Sequence, residues 1–313
     1  MGQLKFFREI SAKDVGIAGG KGASLGEMTR AKIPVPPGFV ILASTFDRFL
    51  EETDLNVDVA AILRKINYKD INSVDRASNE IRGLIMESEM PTDIKVGALK
   101  FFDELGQKFV AVRSSATAED SKVASWAGEL ESYLNTDKES LLLNVKKCWS
   151  SLYTPRAIFY RHEKKLTKTR ISVAVVVQKM VQSEISGITF TVHPVTEDRN
   201  QMLIEAGWGL GEAIVSGSIT PDAYVLNKKT LEILDVNVSK QLKMITKVGK
   251  VTKTVSVKKR VAGKQKLSGK QILALAKICG QVEKHYGFPC DIEWAYAKGK
   301  FYIVQSRPIT TLK

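Results

Sequence analysis

Near its C-terminus the chain carries two polar-apolar alternations that fold only one way. Residues 291–296 read Asp-Ile-Glu-Trp-Ala-Tyr, and residues 300–307 read Lys-Phe-Tyr-Ile-Val-Gln-Ser-Arg. A period of two is a strand signature, and it sorts the side chains. Asp291 and Glu293 share one face, while Ile292, Trp294 and Tyr296 share the other. Gln305 and Arg307 are also two apart and are expected on one face with Ile303. Bringing both polar pairs to the same side requires an odd-numbered loop. Ala297-Lys298-Gly299 provides three residues, with Gly299 suited to the left-handed position. That register sets Asp291 opposite Gln305, with Arg307 just beyond. Two carboxylates beside an amide and an arginine suit Mg²⁺ together with phosphate, because hard cations take oxygen ligands. The competing reading is an exposed, ion-paired hairpin. The apolar opposite face argues instead for a packed strand.

The rest of the chain mixes helix and strand signals. Ile33-Pro-Val-Pro-Pro-Gly38 is a rigid turn before a strand at 39–42. Ser44-Thr45 is expected to cap a helix carrying Phe46, Phe49 and Leu50. Helical segments follow over 57–102, then a short strand at 109–112 ending at Arg113. Residues 140–161 read as a helix interrupted near Pro155, and 171–181, 187–192 and 202–205 as strands. Ser268 opens a helix with the stripe Ile272, Leu275, Cys279, Val282 and Tyr286, which Gly287 stops. With 313 residues, 44% of them hydrophobic, the chain is expected to be α+β and bilobed. The lobes are placed at 1–182 and 183–313.

Charge comes next, because the net charge of +13 suggests nucleic acid. Its distribution argues otherwise. Residues 239–266 hold ten Lys/Arg and no acid, alternate in Val251-Thr-Lys-Thr-Val-Ser-Val257, and turn at Gly249. A solvated hairpin face explains this, and no aromatic residue interleaves the charges to stack bases. Cys148, Cys279 and Cys290 lack metal-ligand spacing, and three histidines form no cluster, so zinc is not expected. No segment reads as a signal peptide or a membrane span, and a cytoplasmic location with reduced thiols is expected.

Three further motifs suit phosphate. Gly19-Gly20-Lys21-Gly22-Ala23-Ser24-Leu25 is a glycine-lysine turn entering a helix. It fails the Walker pattern, because Gly22 follows the lysine, and a plain flexible turn is the alternative. Arg113 stands at a strand end before Ser114-Ser115, where a planar donor can grip phosphate; a structural salt bridge is the alternative. The small polar stretch 116–128 reads as a cover for a phosphate chain, or as a plain surface loop. Gly207-Trp-Gly-Leu-Gly211-Glu212 follows a strand and opens a helix. It is either a tight turn or a means of bringing Glu212 to a ribose hydroxyl, and Glu212 stands where a dinucleotide fold needs glycine.

Together these strings resemble the N-terminal nucleotide-binding domain of the phosphoenolpyruvate synthase (pyruvate, water dikinase) and pyruvate phosphate dikinase family. The matching segments are GGKGASLGEM, PVPPGFVI, VAVRSSATAEDS, ASWAGELESYLN, VVVQKMV, GITFTVHPVT, EAGWGLGEAIVSG, HYGFPCDIEWA and YIVQSRPITTL, in family order. The resemblance implies an ATP-grasp-like fold with ATP between two lobes and Mg²⁺ bridging its phosphates. It implies that Lys21 and Arg113 hold phosphates, that Asp291 and Glu293 bind or orient Mg²⁺, and that Gln305 and Arg307 complete the triphosphate site. Lys21, Arg113 and Arg307 would act in catalysis. The strand end at Gln178 would be the adenine linker, using backbone groups of Met180 and Val181. In the family a further domain carries a histidine that accepts phosphate, and a barrel passes it to pyruvate. His162, His193 and His285 fall in segments matched to the ATP domain, so the phosphohistidine and pyruvate-binding parts are expected as partners. Alone, the chain is expected not to make phosphoenolpyruvate. Rifampicin phosphotransferase, which shares the domain, a non-catalytic nucleotide-binding module, and a nucleic-acid binder are the competing functions.

Overall fold

The computed structural model describes residues 3–117, 131–167, 169 and 171–310. The chain divides into two compact units, one of residues 1–27 and 37–180, the other of 28–36 and 181–313. Helix and strand are mixed in both.

The first unit is a five-stranded antiparallel sheet covered by helices. Strands β1 (Leu4–Phe6), β2 (Gly38–Ile41), β3 (Val110–Ala116), β4 (Ser132–Thr136) and β5 (Val173–Lys179) lie in the order β1-β2-β5-β3-β4. The central β5 is a run of Val and Ala because both its faces are covered, and its residues 173–177 have no exposed surface. Helices α1 (Val15–Arg30), α2 (Ala43–Glu52), α3 (Leu55–Arg64), α4 (Ile71–Glu87), α5 (Thr92–Leu105), α6 (Leu141–Ser150) and α7 (Pro155–Glu163) supply the remaining apolar surface. Trp149 is stacked between Phe46 and Phe49, with ring centroids 5.4 and 5.1 Å away. Burying each such ring contributes on the order of 2–3 kcal/mol. The helix of 140–161 is broken as expected: Pro155 occupies the first turn of α7, and Thr154 caps it by accepting from Ala157 N–H at 3.1 Å. The start of α2 differs from expectation. Leu42 is its N-cap without a side-chain hydrogen bond, and Ser44 and Thr45 lie inside the helix. Thr45 Oγ1 donates instead to the Gln3 carbonyl at 2.9 Å, which ties α2 to the chain entering β1.

The second unit is a six-stranded antiparallel sheet in the order β13-β12-β6-β7-β8-β9. It is built from β6 (Ile185–Phe190), β7 (Gln201–Trp208), β8 (Asp222–Asn227), β9 (Ile233–Asn237), β12 (Cys290–Ala297) and β13 (Lys300–Pro308). Helix α8 (Glu212–Val215) follows β7, α9 (Lys259–Ala262) precedes the long helix α10 (Gly269–Tyr286), and α10 packs against β12 and β7. Helix α10 is laid out as the sequence implies. Ser268 and Gln271 form a capping box, Ile272, Leu275, Cys279 and Val282 are buried, and Gly287 at φ 74° ends it. Side-chain alternation puts Ile292, Trp294, Thr189, Ile204 and Tyr224 on the buried face of the sheet. Gly187 is required there. A Cβ at this position would lie 1.8 Å from the Glu205 carbonyl oxygen and 2.5 Å from the Trp294 ring.

The basic segment forms the expected hairpin. Strands β10 (Lys243–Val248) and β11 (Val251–Ser256) pair antiparallel around Gly249 at φ 62°. One of its ten cations contradicts the solvated-face reading: Lys266 is buried. Its ammonium lies 2.7 Å from Asp222 Oδ1, both side chains having no solvent exposure, and it also donates to the Ser239 carbonyl. Cys148, Cys279 and Cys290 are buried free thiols. Among the described residues no helix is long and apolar enough to cross a membrane.

Candidate functional site

The second unit gathers the carboxylates on the face of its sheet away from α10. The hairpin of β12 and β13 closes through a two-residue turn, Lys298-Gly299, both with positive φ (50° and 76°), and Ala297 pairs with Lys300. The expected three-residue loop and its register are therefore wrong. Asp291 stands opposite Arg307, and Glu293 opposite Gln305. Both polar pairs still share one face, because the odd residue comes from a bulge at Val304 rather than from the loop. The same bulge moves Ile303 to the opposite face, across from Trp294, where it has no exposed surface.

Arg307 Nε donates to Asp291 Oδ2 at 2.8 Å, and its Nη2 lies 2.8 Å from the same oxygen. Asp291 nevertheless sits above the usual carboxylate range. Burial is the larger cause and Glu293 adds repulsion, against the stabilising Arg307 charge. A third carboxylate, not singled out as a site residue from the sequence, joins them. Glu205 on β7 faces Ile188 of β6, which in turn faces Glu293. The row across three strands is thus Glu293, Ile188, Glu205. The Glu205 pKa is raised, first by burial and then by the Asp291 charge. Among the described residues its carboxylate has neither a hydrogen bond nor an ion pair. The available signal was an acid inside the strand Met-Leu-Ile-Glu-Ala, but nothing local says which strands neighbour it.

Glu212 opens α8 at an exposed position, just past the end of β7. Among the described residues no hydrogen bond or ion pair joins it to the carboxylate row. His193 holds a turn: its Nδ1 accepts from Thr196 N–H at 3.2 Å and more distantly from Val195 N–H.

The first unit brings Lys21 and Arg113 into one neighbourhood. The helix of residues 15–30 is kinked at Gly19, with φ 68° and ψ 171°. A Cβ there would come within 2.2 Å of Ser115 Oγ, so only glycine lets this turn press on β3. Ser115 Oγ fastens the contact by donating to the Ala18 carbonyl at 3.0 Å and accepting from Gly22 N–H at 3.2 Å. Lys21 follows this kink, and Arg113 precedes Ser114-Ser115 on β3. Both cations act on the buried Cys148 thiol. Its pKa is pushed up mainly by burial, is raised further by Glu131, and is drawn back by Lys21 and Arg113. Glu131 is held by Arg82 at 3.0 Å and by the Tyr133 hydroxyl. Of the expected cover over the phosphates at 116–128, residues 118–128 lie outside the described residues.

Gln178 is buried at the end of β5, between Gly38 and Ala111. The Met180 amide is already spent on the Phe109 carbonyl at 3.1 Å, and the Lys179 amide on that of Pro37 at 2.8 Å. Met180 therefore has its carbonyl, not its N–H, left to offer a ligand. Lys21, Arg113, Gln178 and Met180 belong to the first unit, and Val181, Glu212, Asp291, Glu293, Gln305 and Arg307 to the second.

Residues 15–313 match the family model described as the pyruvate phosphate dikinase AMP/ATP-binding domain. A protein of Methanocaldococcus jannaschii named probable phosphoenolpyruvate synthase is 49% identical over 99% of this chain and 27% of its own length. The phosphoenolpyruvate synthase of Pyrococcus furiosus is 40% identical over 99% of this chain and 44% of its own length. Rifampicin phosphotransferase of Bacillus subtilis is 37% identical over 97% of this chain and 35% of its own length. The chain thus spans less than half the length of each of these relatives. With the match running from the Gly19 kink through the β12–β13 hairpin, the chain belongs to the pyruvate phosphate dikinase AMP/ATP-binding domain family.

Proposed function

We propose that this chain is the ATP-binding part of a phosphoenolpyruvate synthase-like phosphotransferase, with an ATP-grasp-like fold whose two lobes are the two units, 1–27 with 37–180 and 28–36 with 181–313. The observation that carries the reading is the sheet face on which Asp291 opposes Arg307 and Glu293 opposes Gln305, in a chain of this family.

The residues fit a magnesium ion bound with nucleotide. Among the described residues no three His, Cys, Asp or Glu side chains form a cage for a metal. Mg²⁺ does not need one, since it is commonly held by one or two carboxylates plus substrate phosphates. Asp291 and Glu293 are the carboxylates for it, and the partly buried Glu205, without a hydrogen bond or ion pair among the described residues, adds negative charge near them. When bound, the metal would supply charge neutralisation on the phosphates. Arg307, Lys21 and Arg113 would grip phosphate oxygens, and Gln305 would donate its amide N–H. The linker from Gln178 through Met180 and Val181 would offer backbone groups to adenine, and Glu212 a carboxylate to the ribose. Such a site works by positioning and charge stabilisation. The phosphoryl group would then pass to a histidine on a domain outside this chain, and from there to pyruvate. The 37% identity to rifampicin phosphotransferase supports a second reading, in which the final acceptor is a drug hydroxyl.

Thermal unfolding with and without millimolar MgATP tests the nucleotide assignment. At one hundred times Kd the ligand adds about 2.7 kcal/mol. An unmoved transition would remove the assignment. The acceptor is tested separately, by phosphoenolpyruvate and AMP formation with and without a polypeptide carrying the phosphohistidine and pyruvate-binding domains. Pyruvate-dependent phosphoenolpyruvate from this chain alone would refute the need for that partner.

A further inference from the structure

A cleft in the first unit, apart from the nucleotide residues proposed above, is lined among the described residues by two arginines and by no acid. Arg64 ends α3, Tyr68 lies in the turn after it, Arg161 and His162 lie on α7, and Thr167 follows that helix; Leu63 and Ile158 form an apolar wall. The His162 ring lies flat on Tyr68, with centroids 3.7 Å apart and planes at 7°, which fixes the imidazole at the rim.

Among the described residues neither arginine has a counter-charge. Arg161 is half-buried, and among the described residues its guanidinium makes one hydrogen bond, to the Thr169 carbonyl at 3.2 Å. A guanidinium has five N–H donors, so most of this one's capacity is unspent. Burial disfavours its charge, and of the groups that act on it Tyr153 and Tyr68 are prominent while no carboxylate is among them. Arg64 has no hydrogen bond or ion pair among the described residues. Arg64 is exposed, but the partly desolvated Arg161 without an anion is costly, and an anion from solution relieves that cost.

We propose that this cleft between α3 and α7 binds a small phosphate ester. The two guanidinium groups of Arg64 and Arg161 take the phosphate oxygens, in the forked geometry that arginine offers and lysine does not. His162 contributes a ring N–H from its stacked position. The organic part lies on Leu63 and Ile158.

Calorimetric titration with glycerol 2-phosphate, with ionic strength held constant by chloride, provides the test. Binding is expected in the unmodified chain, weakened at least tenfold by Arg161→Met and by Arg64→Met, and unchanged by the exposed Lys253→Met. Loss with Arg113→Met and none with Arg161→Met would place the phosphate on the nucleotide residues and overturn the proposal. Equal binding of acetate would overturn the phosphate class. A second measurement does not depend on the folding of the arginine variants. The ester should shift the His162 ring resonances of the unmodified chain, assigned through His162→Gln, and should saturate at the calorimetric Kd. Unmoved resonances would refute the site.

Discussion

Replacing Lys266 with methionine should destabilise the second unit far more than replacing an exposed cation of the same basic segment. The ammonium lies 2.7 Å from Asp222 Oδ1, and neither side chain has any exposed surface. Asp222 also accepts from Ser239 N–H and Lys266 N–H, both at 2.9 Å, and from the Tyr224 hydroxyl at 2.7 Å. Lys266→Met keeps most of the apolar stem and those three donors, but leaves a buried carboxylate without its counter-charge. Breaking such a pair costs about 3–5 kcal/mol. At about 1.4 kcal/mol per decade, amide protection should fall by roughly two to four orders of magnitude. Hydrogen-exchange mass spectrometry of the β7 and β8 peptides reads this unit directly. The exposed Lys253→Met should change protection there by less than about 0.5 kcal/mol. Asp222→Leu combined with Lys266→Met should cost less than the sum of the single changes, because no lone charge remains. A fall of less than tenfold for Lys266→Met, or one matched by Lys253→Met, would refute the reasoning.

Three other outcomes are expected. Arg307→Ala should weaken ATP binding by about tenfold or more with or without Mg²⁺, whereas Glu293→Ala should chiefly weaken the Mg²⁺-dependent part; calorimetry with metal and with chelator separates them, and two variants that bind like the parent would show the hairpin assignment to be wrong. Glu205 has its folded-state pKa raised above the ordinary value of 4.5, so its ionisation favours the unfolded chain, and stability drops as pH rises from that value through the folded pKa. Glu205→Gln should therefore leave the thermal midpoint near pH 4 close to that of the parent and gain on it as pH rises to 8; a gap that stays constant with pH would contradict this. Gly187→Ala forces a Cβ to within 1.8 Å of the Glu205 carbonyl in the middle of the sheet, and should cost about 3 kcal/mol or more in thermal unfolding followed by circular dichroism.

Much of the site was legible locally. Asp291 with Glu293, and Gln305 with Arg307, were paired by alternation alone, and the structure keeps both pairs on one face. The glycine-lysine turn was visible as a turn. Its tertiary reason was not, because Gly19 is required by the approach of Ser115, which lies 96 residues away by number. Thr45 read as a helix cap because its hydroxyl suits that task, but the Gln3 carbonyl competes for it successfully.

What the sequence by itself determined are features set within one element. They include α10 with its Ser268–Gln271 capping box, apolar stripe and Gly287 stop, the break at Pro155, and the alternating faces of β12 and β13. These depend on hydrogen bonds and side-chain periods that close over a few residues. The tertiary structure alone decided the register of that hairpin, the burial of Lys266 and the arrival of Glu205 beside Asp291. A bulge at Val304 and a three-residue loop satisfy the same parity, so alternation does not distinguish them. A lysine in a basic run looks solvated until Asp222 is brought to it across the fold. Glu205 meets the hairpin only because β6 inserts between β7 and β12, a choice made by long-range strand pairing and not by any local preference.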